Sequence, residues 1–542
     1  MPAVDIPGAK RSGLNVDLER LAREGDGWLT PEDRYALKTH GVCAQVQPGV
    51  FMVRLRIPSG RLTPDQLFGL AEIADEYAFG WLHLSTRQNV ELHHIGASSV
   101  PSVLMAIEEL GLTTRSACGH TMRNVMSCPD AGVGIDEPFD CGPDARRVSD
   151  AILARSAELN CRLPSRINIA FGGCDTCRQH ARLNDAGFES VVVAGEAGYR
   201  LWGAGSLGTA PSLAIPLEDF ISRRHVLAAA EALVDVFVSH GDLDDPKRGR
   251  MKFVVDALGE DGFRHAFGAA CYRACQRLGD ETSPPVDVID EIALADLLRH
   301  APLGGWGSGV RPQRTAGLAT MTLRIPMGDV DGDDARRLAS LARIGDGHIY
   351  LSRDQNVVYR DVPVGRVSEI RIAARERGLF LDGSDTVADV RTCTGSAVCS
   401  LGISAAPSVG DRLSRIAALG RNGALRVHVS GCPNSCAQHQ AGDIGLSGAK
   451  VRVGGRTRVG YRIWVGADLD AGTLGEVAGR VAEEDVEDVV GAIVGMWEAM
   501  RRPGEPLGRT VRRLGLDAFA AHLSTLSDGF EPGADDPHLV AV

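Results

Sequence analysis

An ordered set of motifs occurs twice in this chain, so the fold must contain two similar bodies. The segment G-V-C-A-Q-V-Q-P-G from Gly41 to Gly49 is followed by L-R-I-P from Leu55 to Pro58. Much later G-V-R-P-Q-R-T-A-G, Gly309 to Gly317, is followed by L-R-I-P from Leu323 to Pro326. Both matches carry an offset of 268 positions. R-Q-N-V at Arg87 to Val90 answers D-Q-N-V at Asp354 to Val357. With a small deletion, F-G-G-C-D-T-C followed by Asp185 and Gly187 answers V-S-G-C-P-N-S-C followed by Asp443 and Gly445. G-Y-R-L-W at Gly198 answers G-Y-R-I-W at Gly460. Two halves related by a pseudo-twofold axis follow from that order.

Each half opens with strand-like alternation, as at Phe51, Val53, Leu55 and Ile57. Thr63-Pro64-Asp65 then starts a helix through Leu67, Leu70, Ala71 and Ala74, with Thr63 as N-cap and Pro64 in the first turn. A strand is expected at Trp81 to Leu84 and a helix from Pro101 to Leu110. The alternation of strands and helices with antiparallel pairing indicates an α+β class. The stretch from about Asp280 to Gly309, with Pro284-Pro285 and Gly304-Gly305, reads as the linker between halves.

The formal net charge of −12 argues against a general nucleic-acid binder, which needs a basic face. No run of 18 or more apolar residues occurs, and the N-terminus lacks an apolar core with a cleavage site, so neither membrane insertion nor secretion is expected. Thirteen cysteines, an odd number, then point to a reducing cytoplasm and to ligands or core thiols rather than a disulfide framework.

Four of those cysteines form two clusters. Cys393 and Cys399 lie in T-C-T-G-S-A-V-C, and Cys432 and Cys436 in S-G-C-P-N-S-C-A-Q. Five residues separate the first pair, more than the two to four that zinc pairs favour, and four soft thiolates suit an iron–sulfur cluster. Gly431, Pro433 and Asn434 suggest a tight bend that brings amides close to sulfur. The first half keeps Cys174 and Cys177 at a different spacing, and its R-N-V-M-S-C shows no pair like Cys393 and Cys399, so one metal centre per chain is expected. Cys271 and Cys275 share one face of a helix and read as core or surface thiols.

These residues resemble the siroheme-dependent nitrite and sulfite reductase family across roughly residues 30 to 500. The resemblance rests on C-T-G-x3-C, on G-C-P-N-S-C-A-Q with D-I-G-L at Asp443, and on K-T-H-G at Lys38. It also rests on L-S-T-R-Q-N at Leu84, R-N-V at Arg123 and M-K-F at Met251. It implies a duplicated nitrite/sulfite reductase fold, each half pairing a ferredoxin-like half-domain with a siroheme/4Fe–4S-type domain. The implied division is an N-terminal extension with the first half-domain (1–115) and a first siroheme-binding domain (116–300). A second half-domain (301–390) precedes the cluster and siroheme domain with its tail (391–542). It further implies a [4Fe–4S] cluster on Cys393, Cys399, Cys432 and Cys436, with Cys436 bridging to siroheme iron. Arg87, Gln88 and Asn434 would then meet the cofactors, and Arg54, Arg123, Arg166 and Asn168 the substrate, a small inorganic anion. Guanidinium forks suit such oxyanions, and Arg54 and Arg56 lie two apart on a strand, hence on one side.

Asn168, in L-P-S-R-I-N-I, stands where many sulfite reductases carry a second pocket lysine, and so favours nitrite, a monoanion. Arg166 replaces the first lysine and cannot give up its proton as lysine does. Cys43 stands where the family commonly has tyrosine, which removes the tyrosine–cysteine link of some relatives. Contact between Cys43 and Cys128 is an alternative to two small buried thiols. No G-x-G-x-x-G follows a strand in a convincing context, so an external donor is needed, with reduced ferredoxin expected. The expected activity is six-electron reduction of nitrite to ammonia by a protein with no membrane or nucleic-acid partner, a monomer as the simplest state. The alternatives are an assimilatory sulfite reductase, a tetrapyrrole-modifying oxygenase of precorrin-3B synthase type, a cluster-only electron carrier, or a structural zinc protein.

Overall fold

The computed structural model describes residues 4–533 apart from 246, 281–282, 289–308, 377–378, 380–382, 385, 417–424 and 454–455. The expected linker, including Gly304-Gly305, therefore lies largely outside the described residues. The other sequence expectations can be checked directly. Helix Pro64–Tyr77 starts at Thr63, whose hydroxyl and Gln66 form a reciprocal capping box. Trp81–Leu84 is a strand, and Val100–Glu109 a helix with proline in its first turn. Cys271 and Cys275 lie on the second part of the helical span Met251–Leu278, which kinks at Gly259.

Four sheets carry the duplication. In the first half, Met122–Met126, Ile167–Gly172 and Ala186–Val193 run parallel, and Glu196–Gly203 and Ile215–Ser222 extend them antiparallel. The second half repeats this with Arg391–Thr392, Val427–Ser430 and Ile444–Val453 parallel, then Arg456–Val465 and Glu476–Ala482 antiparallel. A last strand, Phe530–Pro532, closes the second sheet.

The two smaller, five-stranded sheets exchange edges. Asp329–Asp331 of the second half pairs with Trp81–Leu84 of the first, and Arg61–Leu62 of the first half pairs with Ile349–Leu351 of the second. One edge of each small sheet, at Trp81–Leu84 and at Ile349–Leu351, is thus covered by a strand of the other half. One hydrophobic core runs from Leu21 through Leu55, Leu92, Leu323 and Val357 to Leu379, so the two small sheets share an interior. Each large sheet has its own core, around Phe171, Phe188 and Phe237 in the first half and Val429, Ile463 and Trp497 in the second.

Two buried glutamines lock this exchange. Gln88 Nε2 donates to the carbonyl of Leu351 at 2.7 Å, across the pseudo-twofold, and to Ser127 O at 2.8 Å. Its Oε1 accepts from Ser127 N at 3.0 Å. Gln355 mirrors it, donating to Leu84 O at 2.9 Å and accepting from Thr392 N at 3.0 Å. Both glutamines have positive φ, +55° and +64°, an uncommon state for a residue with a side chain. The same two carbonyls leave no room for a side chain on Gly60 or Gly328, where an added Cβ would sit 2.6 Å from each. We predict that Gln88→Ala or Gln355→Ala lowers the stability of the apoprotein to urea by about 2–4 kcal/mol, through buried backbone groups left unpaired. Truncating exposed Met105 should change it by less than about 0.5 kcal/mol. Equal effects in the two series would show that the glutamines do not lock the halves.

Candidate functional site

The cluster cysteines lie on loops at one end of the parallel strands of the second large sheet. Cys393 directly follows Arg391–Thr392, and Cys432 comes two residues after Val427–Ser430. Gly431 N donates to Cys393 Sγ at 3.1 Å. The amides of Gly395, Leu401, Gly402 and Asn434 also face these sulfurs, and Asn434 reaches Cys432 with its side chain. The bend in this loop is made by positive φ at Ser435 and Gln438. Thiols so placed resist ionising. Burial first, and the neighbouring thiols with it, push Cys393 up to about 12 and Cys432 up to about 11. Each senses the field of Cys436, yet the one thiol-rich trio within 4.8 Å among the described residues lies elsewhere. The quartet is too widely spaced for a single ion, which would gather sulfur at about 2.3 Å from one centre. Cys436 alone of the four is exposed. Its carbonyl accepts from Thr86 Oγ1 at 2.8 Å, so the first half presents the second half's thiol.

Facing Cys436 is a basin of guanidinium groups. Arg87 senses Cys436, Arg54 and Arg250, and Arg166 senses Arg250, Arg87 and Arg123. Arg250 above all, and burial after it, hold Arg166 well below the ordinary arginine value, while burial and then Arg87 and Arg54 push Arg123 down to about 9. Two carboxylates offset this charge. Arg54 pairs with Glu91 at 2.7 Å, and Arg250 grips Asp185 with both contacts at 3.0 Å. The Nε atoms of Arg166 and Arg250 are buried without a partner. Asn168 donates through its amide nitrogen to Asp185 at 3.1 Å and leaves its own Oδ1 unpartnered.

The predicted residues do not all fall where the sequence suggested. Arg54, Arg87, Arg166 and Asn168 come together at the basin, whereas Arg123 turns its guanidinium onto the carbonyls of Ala117, at 2.5 Å, and Gly119, at 3.1 Å. Gln88, expected at the cofactor, commits its carboxamide to backbone groups, as described above. Arg56 does not accompany Arg54. It is fully buried and donates to Met122 O and Ser149 Oγ. Cys43 does not meet Cys128: Cys43 lies against Cys118, and Cys128 Sγ is 3.4 Å from Cys174 Sγ. Arg250, one residue before the M-K-F motif, and Asp185, seen only as a repeat match, were missed because only the folded chain brings them to Arg166. Cys118 was missed too. It accepts from Arg54 at 3.2 Å, and a hydrogen bond from Cys43, with Arg54 and Arg123 nearby, pulls its thiol down to about 6 despite burial.

Comparison with known proteins settles the lineage. The family model described as the nitrite and sulphite reductase 4Fe-4S domain matches residues 118–272 and 383–528. The nitrite/sulfite reductase ferredoxin-like half domain matches 44–110 and 311–377. The chain belongs to the nitrite and sulphite reductase family. Among its relatives, a ferredoxin–nitrite reductase of Synechococcus elongatus is 31% identical over 89% of this chain and 93% of that protein. The assimilatory ferredoxin-dependent nitrite reductase of Haloferax mediterranei is 29% identical over 95% and 92%. The solved Mycobacterium tuberculosis NirA protein superposes with a TM-score of 0.81 at 25% identity, covering 96% of this chain and 98% of that one.

The cofactors of a nitrite and sulphite reductase are a 4Fe-4S cluster and siroheme, and the residues fit both. Four crowded thiols, ringed by amides and too far apart for one ion, suit an iron cube that takes the place of their protons. Unpartnered guanidinium nitrogens in a buried basin suit the carboxylates of siroheme. No helix among the described residues is long and apolar enough to cross a membrane.

Two predictions follow from these electrostatics. Arg166→Met should raise the apoprotein's melting temperature by about 2–4 °C, because it removes like-charge repulsion, and should weaken siroheme retention in the holoprotein. Shifts of the same sign in both would refute the basin's role. The second concerns Cys118, whose folded value of about 6 lies below the ordinary 9.0. Its thiolate therefore stabilises the apoprotein in full above about pH 9, and the contribution is lost as pH falls through about 6. Urea midpoints of Cys118→Ser across that window should depend less on pH than those of the wild type.

Proposed function

We propose that this enzyme reduces nitrite to ammonia with electrons from reduced ferredoxin. The observation that carries the choice of nitrite is Asn168. It places a neutral amide beside Asp185, Arg250 and Arg166, in a wall that is otherwise charged. A monoanion needs less positive charge at this position than a sulfite dianion does. The names of the relatives from Synechococcus elongatus and Haloferax mediterranei support the same reading and the choice of donor.

The cluster and siroheme supply the electron transfer and the metal site for the anion, chemistry that side chains lack. The protein's own residues would do the rest. Cys393, Cys399, Cys432 and Cys436 would hold the cluster, with exposed Cys436 facing the siroheme basin. Arg87, Arg166 and Arg250 would bind carboxylates and anion through forked hydrogen bonds. Arg54, fixed by Glu91, orients toward Cys118. Lys252, pushed down to about 8 by burial first and Arg250 second, and Cys118, held at about 6, can exchange protons near neutrality. Six-electron reduction consumes protons as N–O bonds break, so such groups are useful beside the anion.

The test is steady-state reduction of nitrite and of sulfite by purified holoenzyme with reduced ferredoxin. Nitrite should have the higher kcat/KM, and Asn168→Lys should shift the ratio toward sulfite by about tenfold or more. A wild-type preference for sulfite would make the enzyme an assimilatory sulfite reductase. Oxygen-dependent turnover of a tetrapyrrole, with neither anion reduced, would make it an oxygenase.

A further inference from the structure

The first half contains a second cluster of thiols. Cys128, Cys174 and Cys177 are all buried, and their sulfurs lie within 4.8 Å of one another. Pseudo-symmetry explains their position. Ser127 N donates to Gln88 Oε1, as Thr392 N donates to Gln355 Oε1, so Cys128 stands where Cys393 stands in the other half. Strand pairing agrees, with Met126 opposite Ala170 and Thr392 opposite Val429. Cys174 then corresponds to Cys432, and Cys177 to Cys436 with one residue fewer between the pair. The trio therefore occupies the place of three cluster ligands, drawn into a tighter group.

That contraction changes which metal fits. A tetrahedral zinc ion with sulfur at about 2.3 Å sets its thiolates about 3.8 Å apart, whereas an iron cube holds them much farther apart. Cys128 Sγ and Cys174 Sγ are 3.4 Å apart, and C-x2-C is a zinc-type spacing. The loop after Cys128 supplies a fourth group. Glu137 is fully buried, and its carboxyl is aimed at the Cys128 thiol and the Cys174 amide. It faces the thiols of Cys128 and Cys177, and its Oε2 packs so close to Gly173, the residue before Cys174, that an added Cβ there would lie 2.6 Å away. A carboxyl at such depth, among thiols and with no cationic partner in hydrogen-bond contact among the described residues, suits a ligand to a metal ion.

Countercharge is also at hand. Three thiolates and a carboxylate around a divalent ion leave two negative charges buried. Arg353, also buried, has Nη1 and Nη2 unpartnered and lies in the field of all three thiols. It occupies the position that Thr86 takes beside Cys436 in the other half. A cation here offsets the excess charge of the site, as outer partners do at metal centres.

We propose that Cys128, Cys174, Cys177 and Glu137 bind one zinc ion in a closed, tetrahedral, structural site. It ties the ends of strands Met122–Met126 and Ile167–Gly172 to the helix Asp175–Ala181. With four protein ligands and no open position, the site takes no part in anion reduction, and its test does not depend on which anion is the substrate.

The test is elemental analysis of the wild-type holoenzyme, purified without chelator, with zinc-edge X-ray absorption on the same sample. About one zinc per chain is expected, with three sulfurs at about 2.3 Å and one oxygen at about 2.0–2.2 Å. The double substitution Cys174→Ser and Cys177→Ser should reduce zinc to below about a tenth per chain and keep siroheme absorption and acid-labile sulfide. Any one of four results would overturn the proposal. These are wild-type protein free of zinc after anaerobic incubation with zinc chloride, iron in place of zinc, zinc that survives the double substitution, and a Cys128–Cys174 disulfide in non-reducing peptide maps. The wild-type measurements stand even if the variant does not fold.

Discussion

The crossing of backbone between the halves is the constraint on which the rest of this structure depends. The carbonyls of Leu84 and Leu351 each enter the opposite half, where a glutamine amide binds them and a glycine makes room. Strand exchange alone would join the two small sheets, but it would not set the position of the loops that follow them. The glutamines do so, because the same side chains also bind the backbone at Ser127 and Thr392. Those residues directly precede Cys128 and Cys393. The interlock therefore sets where the first cysteine of each half begins its loop.

Cofactor chemistry then falls unequally on a symmetric frame. In the second half the cysteines stand too far apart for a single ion, and Cys436 is exposed toward the arginines of the first half. In the first half the corresponding thiols close inward and are buried with a carboxylate. A shorter spacing in the second cysteine motif and the lack of a counterpart to Cys399 separate the two outcomes. The basin between the halves is electrostatically unsettled without a ligand. Arg166, Arg87 and Arg123 are each pushed below the ordinary arginine value by burial and by neighbouring guanidinium groups, and two carboxylates do not balance the charge. A protein that keeps such repulsion in its interior is organised around an anion, since binding one removes the repulsion and occupies the free donors.

Much of the fold was legible because its signals are local. The repeat showed two halves, alternation around Val53 showed a strand, and Thr63-Pro64 showed where a helix starts. The presence of an iron–sulfur cofactor was legible as well, since the cysteine spacing and its glycine-rich setting are chemical signals within a few dozen residues. Gln88 was misread because a residue inside a cofactor-associated motif can serve either the ligand or the backbone, and only hydrogen-bond partners tell them apart. Arg56 was placed with Arg54 by strand periodicity, but the strand ends at Leu55 and the next arginine turns into the interior. Contact between Cys128 and Cys43, the alternative to two small buried thiols, does not form, because the parallel strand pairing carries Cys128 to Cys174.

The amino-acid sequence by itself determined the duplication, the α+β class, the 4Fe-4S and siroheme cofactors and the membership of the nitrite and sulphite reductase family, because each is written in short-range pattern or in ordered repetition. Tertiary structure alone decided which arginines share a basin, that Arg250 and Asp185 join it, that Gln88 locks the halves, and that three thiols of the first half converge with Glu137. The physical reason is range. Periodicity and motif spacing act over a few residues, whereas charge repulsion, buried hydrogen bonds and ligand convergence join groups brought together only when the chain has closed on itself.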